Sequence, residues 1–332
     1  MEYRKIGETD LECSVITFGA WAIGGWKWGG SDRNEAVKAI RAAYDQGMTS
    51  IDTAPAYGQG VSEEIVAEAL QGIPRHKVQI LTKFGLRWDT KEGEFFFKSQ
   101  FEDGRDFDMH KLATKESILM ECENSLRRLK TDYIDLYQIH WHNATTPISE
   151  TMETMIRLKE QGKIREVGVC NYSKGLMEEA AKTINLASDQ VPYSMVLRDI
   201  EKELVPYCIE HKKSVIAYSP LQRGLLTGKL KPGHVFGEGD HRQELNYFRP
   251  ENIKRVNEML NELRPLAESK KATIAQLVLR WTIEQPGITI ALAGARNADQ
   301  AVQNAKAADI KLSPDDLAFI SRKVDTLTLE PV

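Results

Sequence analysis

Apolar residues recur along the chain in two alternating rhythms. Short runs rich in β-branched, aromatic and small side chains occupy positions 16–21, 49–53, 78–83, 133–140, 164–170, 190–193, 215–218 and 289–293. Each has the length and composition of a buried strand. Between them, apolar positions step by three and four, as one face of a helix requires. Ile65, Val66, Ala69 and Leu70 follow Ser62, a good N-cap, and Ile118, Cys122, Leu126 and Leu129 share the next such face. Thr146-Pro147 predicts a cap followed by proline at the first helical position, with Gly162 ending that helix. Thr273 opens a helix carrying Ile274, Leu277, Val278 and Trp281, which Pro286-Gly287 stops. Ser313-Pro314 opens a last amphipathic helix with Leu317, Ile320, Val324 and Leu327. Strand and helix alternating through eight units predict a parallel sheet closed into a (β/α)8 TIM barrel; a doubly wound open sheet is the alternative. Residues 3–18 read as a β-hairpin turning at Gly7-Glu8-Thr9-Asp10, ahead of the barrel. A length of 332 residues fits one such domain, 1–332.

Two connections, 85–113 and 221–250, are too long to be plain linkers. Both follow barrel strands, so they are expected to rise over the C-terminal face as lids or binding loops. With 42% hydrophobic and 28% charged residues, the chain can bury a large core. A net charge of −4 argues against a nucleic-acid or anionic-membrane partner. Cys13, Cys122, Cys170 and Cys208 are far apart, which predicts reduced thiols in a cytoplasmic protein. There is no 18-residue apolar run, and residues 1–5 lead into no apolar h-region, so neither a membrane span nor a secretory leader is expected.

Barrel chemistry gathers at the carboxyl ends of the strands. The second predicted strand ends at Asp52, with Tyr57 on the following loop; the third ends at Lys83 and the fourth at His140. A lysine ending an apolar strand needs an anion, because an unpaired buried charge is costly. Asp52 can supply it, and the ammonium can then lie against the Tyr57 hydroxyl. A nearby cation lowers a phenol's pKa from its reference of about 10, so Tyr57 is expected to be a usable acid near neutral pH. His140 would be a second donor to an oxygen acquiring negative charge. Taken singly, these residues read as a structural ion pair, a turn tyrosine and a core histidine; four on successive strand ends favour chemistry. Gly19 through Gly25 lacks the Lys-Ser/Thr of a phosphate loop, and no Gly-x-Gly-x-x-Gly occurs. His140-Trp141-His142 has the pattern of a barrel metal site, but the later strands carry no supporting ligands, so no metal is expected.

At these residues the chain resembles the aldo-keto reductase family over almost its whole length. The motifs that carry the likeness are Asp52-Thr-Ala-Pro-Ala-Tyr57-Gly, Thr82-Lys83, Asp135-Leu-Tyr-Gln-Ile-His140-Trp, Gly168-Val-Cys-Asn171-Tyr-Ser and Tyr218-Ser-Pro-Leu221. Gln190-Val-Pro-Tyr-Ser and Arg223-Gly-Leu-Leu-Thr-Gly228-Lys are most similar to bacterial general-stress type members. The resemblance implies a catalytic tetrad of Asp52, Tyr57, Lys83 and His140. It implies that Asn171 and Gln190 hold the nicotinamide carboxamide, that Tyr218 stacks on the ring, and that Trp21 lies near the cofactor. Further cofactor contacts are implied at Asp52, Ser219, Leu221, Gly224, Gly294, Gln300 and Asn304. Cys170 stands where the family commonly has serine, which removes one expected hydrogen bond.

Asn297 with Gln300 is a capping-box pattern that opens a helix, and Arg296 beside it makes that N-terminus a candidate phosphate site. The family places the adenosine 2′-phosphate there, which implies NADP(H). The expected activity is NADPH-dependent reduction of a small carbonyl compound, or the reverse. The alternative is a cofactor-binding, redox-sensing regulatory subunit on the same barrel with little turnover. Such subunits typically lack the histidine that stands here as His140. The physiological substrate and the oligomeric state are not legible.

Overall fold

A computed structural model describes residues 1–101 and 103–331. The chain opens with β1 (Tyr3–Lys5), β2 (Glu12–Ser14), β3 (Ile16–Gly19), α1 (Arg33–Asp45), β4 (Ser50–Asp52), α2 (Val61–Ala69) and β5 (Gln79–Phe84). Then come β6 (Leu86–Arg87), β7 (Glu94–Gln100), β8 (Asp106–Lys111), α3 (Lys115–Leu129), β9 (Ile134–Ile139), α4 (Ile148–Glu160) and β10 (Ile164–Cys170). The rest comprises α5 (Lys174–Ala181), β11 (Ser188–Pro192), α6 (Leu204–Glu210), β12 (Ser214–Tyr218), α7 (Pro250–Ser269), α8 (Ile274–Glu284), β13 (Ile288–Gly294), α9 (Ala298–Ala305) and α10 (Pro314–Asp325).

Eight parallel strands close in the order β3-β4-β5-β9-β10-β11-β12-β13, and β13 returns to β3 through the Gly294–Gly19 register. This is the closed barrel that the strand–helix alternation predicted. The antiparallel β1–β2 hairpin plugs its amino-terminal end, where Ile6, Leu11 and Cys13 pack on Leu81, Leu136, Ile216 and Ile290. At that same end Asp135 is buried, accepting from Arg75 (2.5 Å) and the Ile80 amide (2.9 Å), and so ties β9 to β5.

Several local expectations are corrected. Ser62 is not a cap: α2 begins at Val61 behind Gly60, at φ 100°. Ser62 instead turns inward, donating to the Ala20 carbonyl (2.9 Å) and meeting the Thr53 hydroxyl (2.9 Å). Pro147 occupies the cap position of α4, so Thr146 caps nothing there. The first barrel strand stops at Gly19, which leaves Trp21 on a turn, and α10 ends before Leu327. The caps Thr273 and Ser313 stand as predicted, each reciprocated from the third helical residue.

The 85–113 connection is not a plain loop. β6, β8 and β7 form a three-stranded antiparallel sheet over the barrel mouth. Phe96 and Phe97 turn toward Trp26, Phe107 and Trp141, and this apolar cluster gives the flap its own reason to fold. Glu102, inside this connection, and Val332 lie outside the described residues. Residues 221–250 hold three short 3-10 turns, at Gln222–Thr227, His241–Glu244 and Asn246–Phe248. Among the described residues no helix is long and apolar enough to cross a membrane.

Candidate active site

Parallel register sets the site. Gly19 pairs with Asp52, and Lys83 pairs with Gln138, so the carboxyl ends of β3, β4, β5 and β9 stand together. The strands continue briefly into the loops: the Ala20 amide donates to the Asp52 carbonyl (2.8 Å) and the His140 amide to the Phe84 carbonyl (2.9 Å). Tyr57 is set by close backbone approach. Gly58, at φ 68°, would place a Cβ 2.2 Å from the Gly24 carbonyl oxygen, so only glycine lets these loops meet.

Lys83 is fully buried and donates from Nζ to Asp52 Oδ1 (2.6 Å) and to the Thr53 carbonyl (2.9 Å). Asp52 Oδ2 accepts from Gln190 Nε2 at 2.7 Å, so both carboxylate oxygens are engaged. Burial draws the Lys83 pKa down, but Asp52, helped by Tyr57 and Cys170, reverses this and leaves the amine above its ordinary 10.5. It is a cation in the core, 5.0 Å from the Tyr57 ring centroid.

The Tyr57 phenol departs from expectation. Burial pushes it up to about 12, and Lys83 only partly opposes the rise. Desolvation of the phenolate outweighs attraction to the ammonium, and the Asp52 carboxylate paired with that ammonium also opposes ionisation. Tyr57 is therefore a protonated donor, not an acidified one. His140 sits edge-on to it, with ring centroids 5.8 Å apart. Burial and then Lys83 hold its imidazole well below the ordinary 6.5, so it is neutral.

The predicted carboxamide holders are differently engaged. Asn171, at φ 60°, donates from Nδ2 to the His140 carbonyl (3.0 Å) and accepts from the Tyr218 hydroxyl (2.9 Å). Gln190 commits its Nε2 to Asp52, a role the sequence did not suggest. Cys170 is buried, and burial holds its thiol well above the ordinary range. Ser219 (φ 56°), Gln222, Arg223 and Gly224 (φ 97°) form a left-handed stretch around Leu221, beside Tyr218. At the rim, Asn304 Nδ2 donates to the Gly294 carbonyl at 3.0 Å. Asn297 caps α9 by accepting from the Gln300 amide (2.9 Å), but Gln300 returns its side chain to the Arg296 amide, not to Asn297. The Arg296 guanidinium is exposed and donates to the Gly30 carbonyl (2.7 Å). His142 turns away from this centre, edge-on to Tyr172.

The model of the aldo/keto reductase family matches residues 15–325. The chain belongs to that family. Its general activity is NAD(P)H-dependent carbonyl reduction. This reductase is 39% identical to the aldo-keto reductase YhdN of Bacillus subtilis, over 100% of this chain and 96% of that protein. It is 36% identical to the NADH-specific methylglyoxal reductase of Escherichia coli, over 98% and 99% respectively. Among solved structures it superposes on the glycerol dehydrogenase of Gluconobacter oxydans with TM-score 0.87 and 35% identity, covering 99% of this chain and 97% of that one. An aldo/keto reductase from Klebsiella pneumoniae in complex with NADP and acetate matches with TM-score 0.70 and 32% identity, covering 96% and 93%.

Behind the Lys83 strand of the reductase lies a residue that sequence reading missed. Glu121, on α3, accepts from the Gly85 amide and from the Ser117 hydroxyl, both at 3.0 Å, at the root of the flap. Burial pushes its carboxyl up to about 7 against the Gly85 amide and Arg87. Between its ordinary value near 4.5 and about 7 the folded state binds more protons than the unfolded chain, so this group's share of stability falls as pH rises. Glu121→Gln is expected to remove that slope. Denaturant titration should show the variant gaining up to about 3 kcal/mol on wild type at pH 8 and little at pH 4.5.

Proposed function

We propose that this protein reduces an aldehyde or ketone with NADPH, Tyr57 giving the proton. The observation that carries the reading is the buried Lys83–Asp52 pair, 2.6 Å apart, set beneath a protonated Tyr57 and a neutral His140 at the barrel mouth. A nicotinamide cofactor, when bound, supplies the hydride. Tyr57 and His140 converge as donors on the carbonyl oxygen. As that oxygen becomes an alkoxide it is more basic than a phenolate, so a tyrosine held near 12 gives up its proton downhill. The phenolate left behind faces the Lys83 ammonium, which Asp52 and Gln190 keep in place. A neutral His140 orients the oxygen without adding a second cation beside Lys83.

The residues at the rim fit the cofactor. The Trp21 indole N–H is buried with no partner among the described residues, Tyr218 stands beside Asn171, and the α9 N-terminus offers Arg296 to an anion. Trp21, Asn171, Gln190, Tyr218, Ser219, Leu221, Gly224, Gly294, Arg296, Gln300 and Asn304 would line it. NADPH oxidation followed over a panel of aldehydes and ketones tests the reading. Steady turnover supports an enzyme; its absence with every carbonyl and either cofactor supports the regulatory alternative.

Cofactor choice rests on Arg296, and the NADH-specific relative makes the test worthwhile. A hydrogen bond to a charged group contributes about 1.5–3 kcal/mol, so Arg296→Ala should weaken NADPH binding roughly 10- to 150-fold. NADH, lacking the 2′-phosphate, should change by no more than about a few-fold. Fluorescence quenching at low and high salt reads both, and the NADPH loss should shrink in salt. Equal losses for the two cofactors would remove the 2′-phosphate from Arg296.

A further inference from the structure

The flap leaves the barrel and rejoins it at one residue. Gly85 follows β5 directly, and its φ of 89° turns the chain out into β6. After β8 the chain returns at Leu112, whose amide donates to the Gly85 carbonyl (3.2 Å), and then enters α3. From α3 the buried Glu121 reaches back to the same residue, its Oε2 accepting from the Gly85 amide at 3.0 Å. Its Oε1 accepts from the Ser117 hydroxyl, which in turn accepts from Arg87 Nη1 (2.7 Å), so a second path runs from this carboxylate to β6.

Each strand of the flap has its own tie to the rest of the molecule. Trp26 Nε1 donates to Ser99 on β7 (3.0 Å), Asn143 Nδ2 to the Lys111 carbonyl on β8 (2.8 Å), and Glu121 holds the root of β6. The remaining contacts are apolar. Leu86 and Phe107 pack with Trp26 and with Ala56, the neighbour of Tyr57, and Phe96 meets Trp141, the neighbour of His140, at 5.3 Å. Apolar contact has little directionality, so the angle of the sheet is set where directional bonds meet its root. A buried carboxylate is also a costly way to fill space, which favours a role for the bonds it makes over simple packing.

We propose that Glu121 is a positioning residue: by bonding Gly85 it fixes the angle at which the flap leaves the barrel, and so how closely Leu86 and Phe96 wall a substrate beside Tyr57 and His140. Without that bond the buried Gly85 amide is an orphan donor, and the flap relieves it by swinging out to water. A looser wall weakens substrate binding and leaves the proton donor in place. The substrate part of this rests on the carbonyl-reductase reading above; the hold on the flap does not.

The test follows amide hydrogen exchange, and steady-state reduction of benzaldehyde, in wild type, Glu121→Leu, Glu121→Gln and Gly85→Ala. Glu121→Leu removes both acceptors, whereas Glu121→Gln keeps a carbonyl for Gly85 and an amide for Ser117. Gly85→Ala attacks the junction from the other side. A Cβ there has room, with the Leu112 carbonyl oxygen at 3.5 Å and Ile139 Cγ1 at 3.6 Å, but φ 89° strains any side chain. In Glu121→Leu and Gly85→Ala, amides of β6, β7 and β8 are expected to exchange on the order of 10-fold faster, while those of β9 and β10 hold. KM should rise by a similar factor, with kcat, cofactor Kd and the Gln variant all within about 2-fold of wild type. Exchange that quickens as much in the barrel strands makes Glu121 a general packing residue and overturns the inference. So does a KM that stays unchanged in both the Leu and Ala variants, or a Gln variant as impaired as Leu. Should Glu121→Leu fail to fold, Gly85→Ala decides. If wild type turns over no carbonyl with NADPH or NADH, the reductase reading fails, and hydrogen exchange alone decides the hold on the flap.

Discussion

Tyr57→Phe is expected to lower kcat for any carbonyl substrate by at least about 10²-fold, because a positioned proton donor typically contributes 10²–10⁴-fold. The ring stays, and with it the edge-on contact to His140 and the packing on Trp21. Fold and cofactor Kd should therefore hold, and the loss should appear in kcat rather than in binding. Raising the pH does not rescue the variant, since no phenol remains to titrate. In wild type the phenol stays protonated through neutral pH at a value near 12. Steady-state kinetics with one reactive aldehyde, alongside cofactor quenching, make the measurement. An unchanged kcat would remove Tyr57 from the chemistry and leave it a loop tyrosine held by Gly24 and Gly58.

Lys83→Met should have the second large effect, on stability and on activity together. It removes the cation from a buried pair and leaves the Asp52 carboxylate with Gln190 Nε2 as its remaining side-chain donor. Breaking a buried pair from one side costs about 3–5 kcal/mol, which denaturant titration would read directly. Activity should fall as well, because the Tyr57 phenolate loses its counter-charge. The double variant Asp52→Asn/Lys83→Met separates the two effects. With no charge left to bury, most of the stability should return, since neutral replacements of buried pairs are often tolerated. Activity should not return. Recovery of both would make the pair a purely structural device.

That Asp52, Lys83 and His140 meet at one end of the barrel, beside Tyr57, was legible because the pattern is short-range. A carboxylate, a lysine and a histidine each end an apolar run, and parallel register brings such ends to one face without further information. The same holds for the helix starts at Thr273 and Ser313, where the cap and its reciprocal partner lie three residues apart. Gln300 was read as partner to Asn297 by the same rule, and the chain gave its side chain to the Arg296 amide next door. A local pattern names the participants; backbone geometry chooses among adjacent donors.

The alternation of eight strands with helices, hence the barrel, and the residue types at the strand ends can be read from the chain alone. Both follow from periodicity and polarity along the chain. Tertiary structure decided everything that depends on desolvation or on meetings between distant segments. Ser62 looked like a cap until the Ala20 carbonyl and the Thr53 hydroxyl took its hydroxyl into the buried interior. Phe96 and Phe97 read as loop residues until Trp26 and Trp141 gave them a surface to fold against. Tyr57 was expected to be acidified by Lys83, yet burial moved it the other way. His241 carried no signal in its own stretch, and its Nδ1 meets the Lys27 carbonyl, 214 positions earlier, only in the folded chain. Dielectric surroundings and contacts between segments far apart in the chain are properties of the folded volume, and no window of sequence contains them.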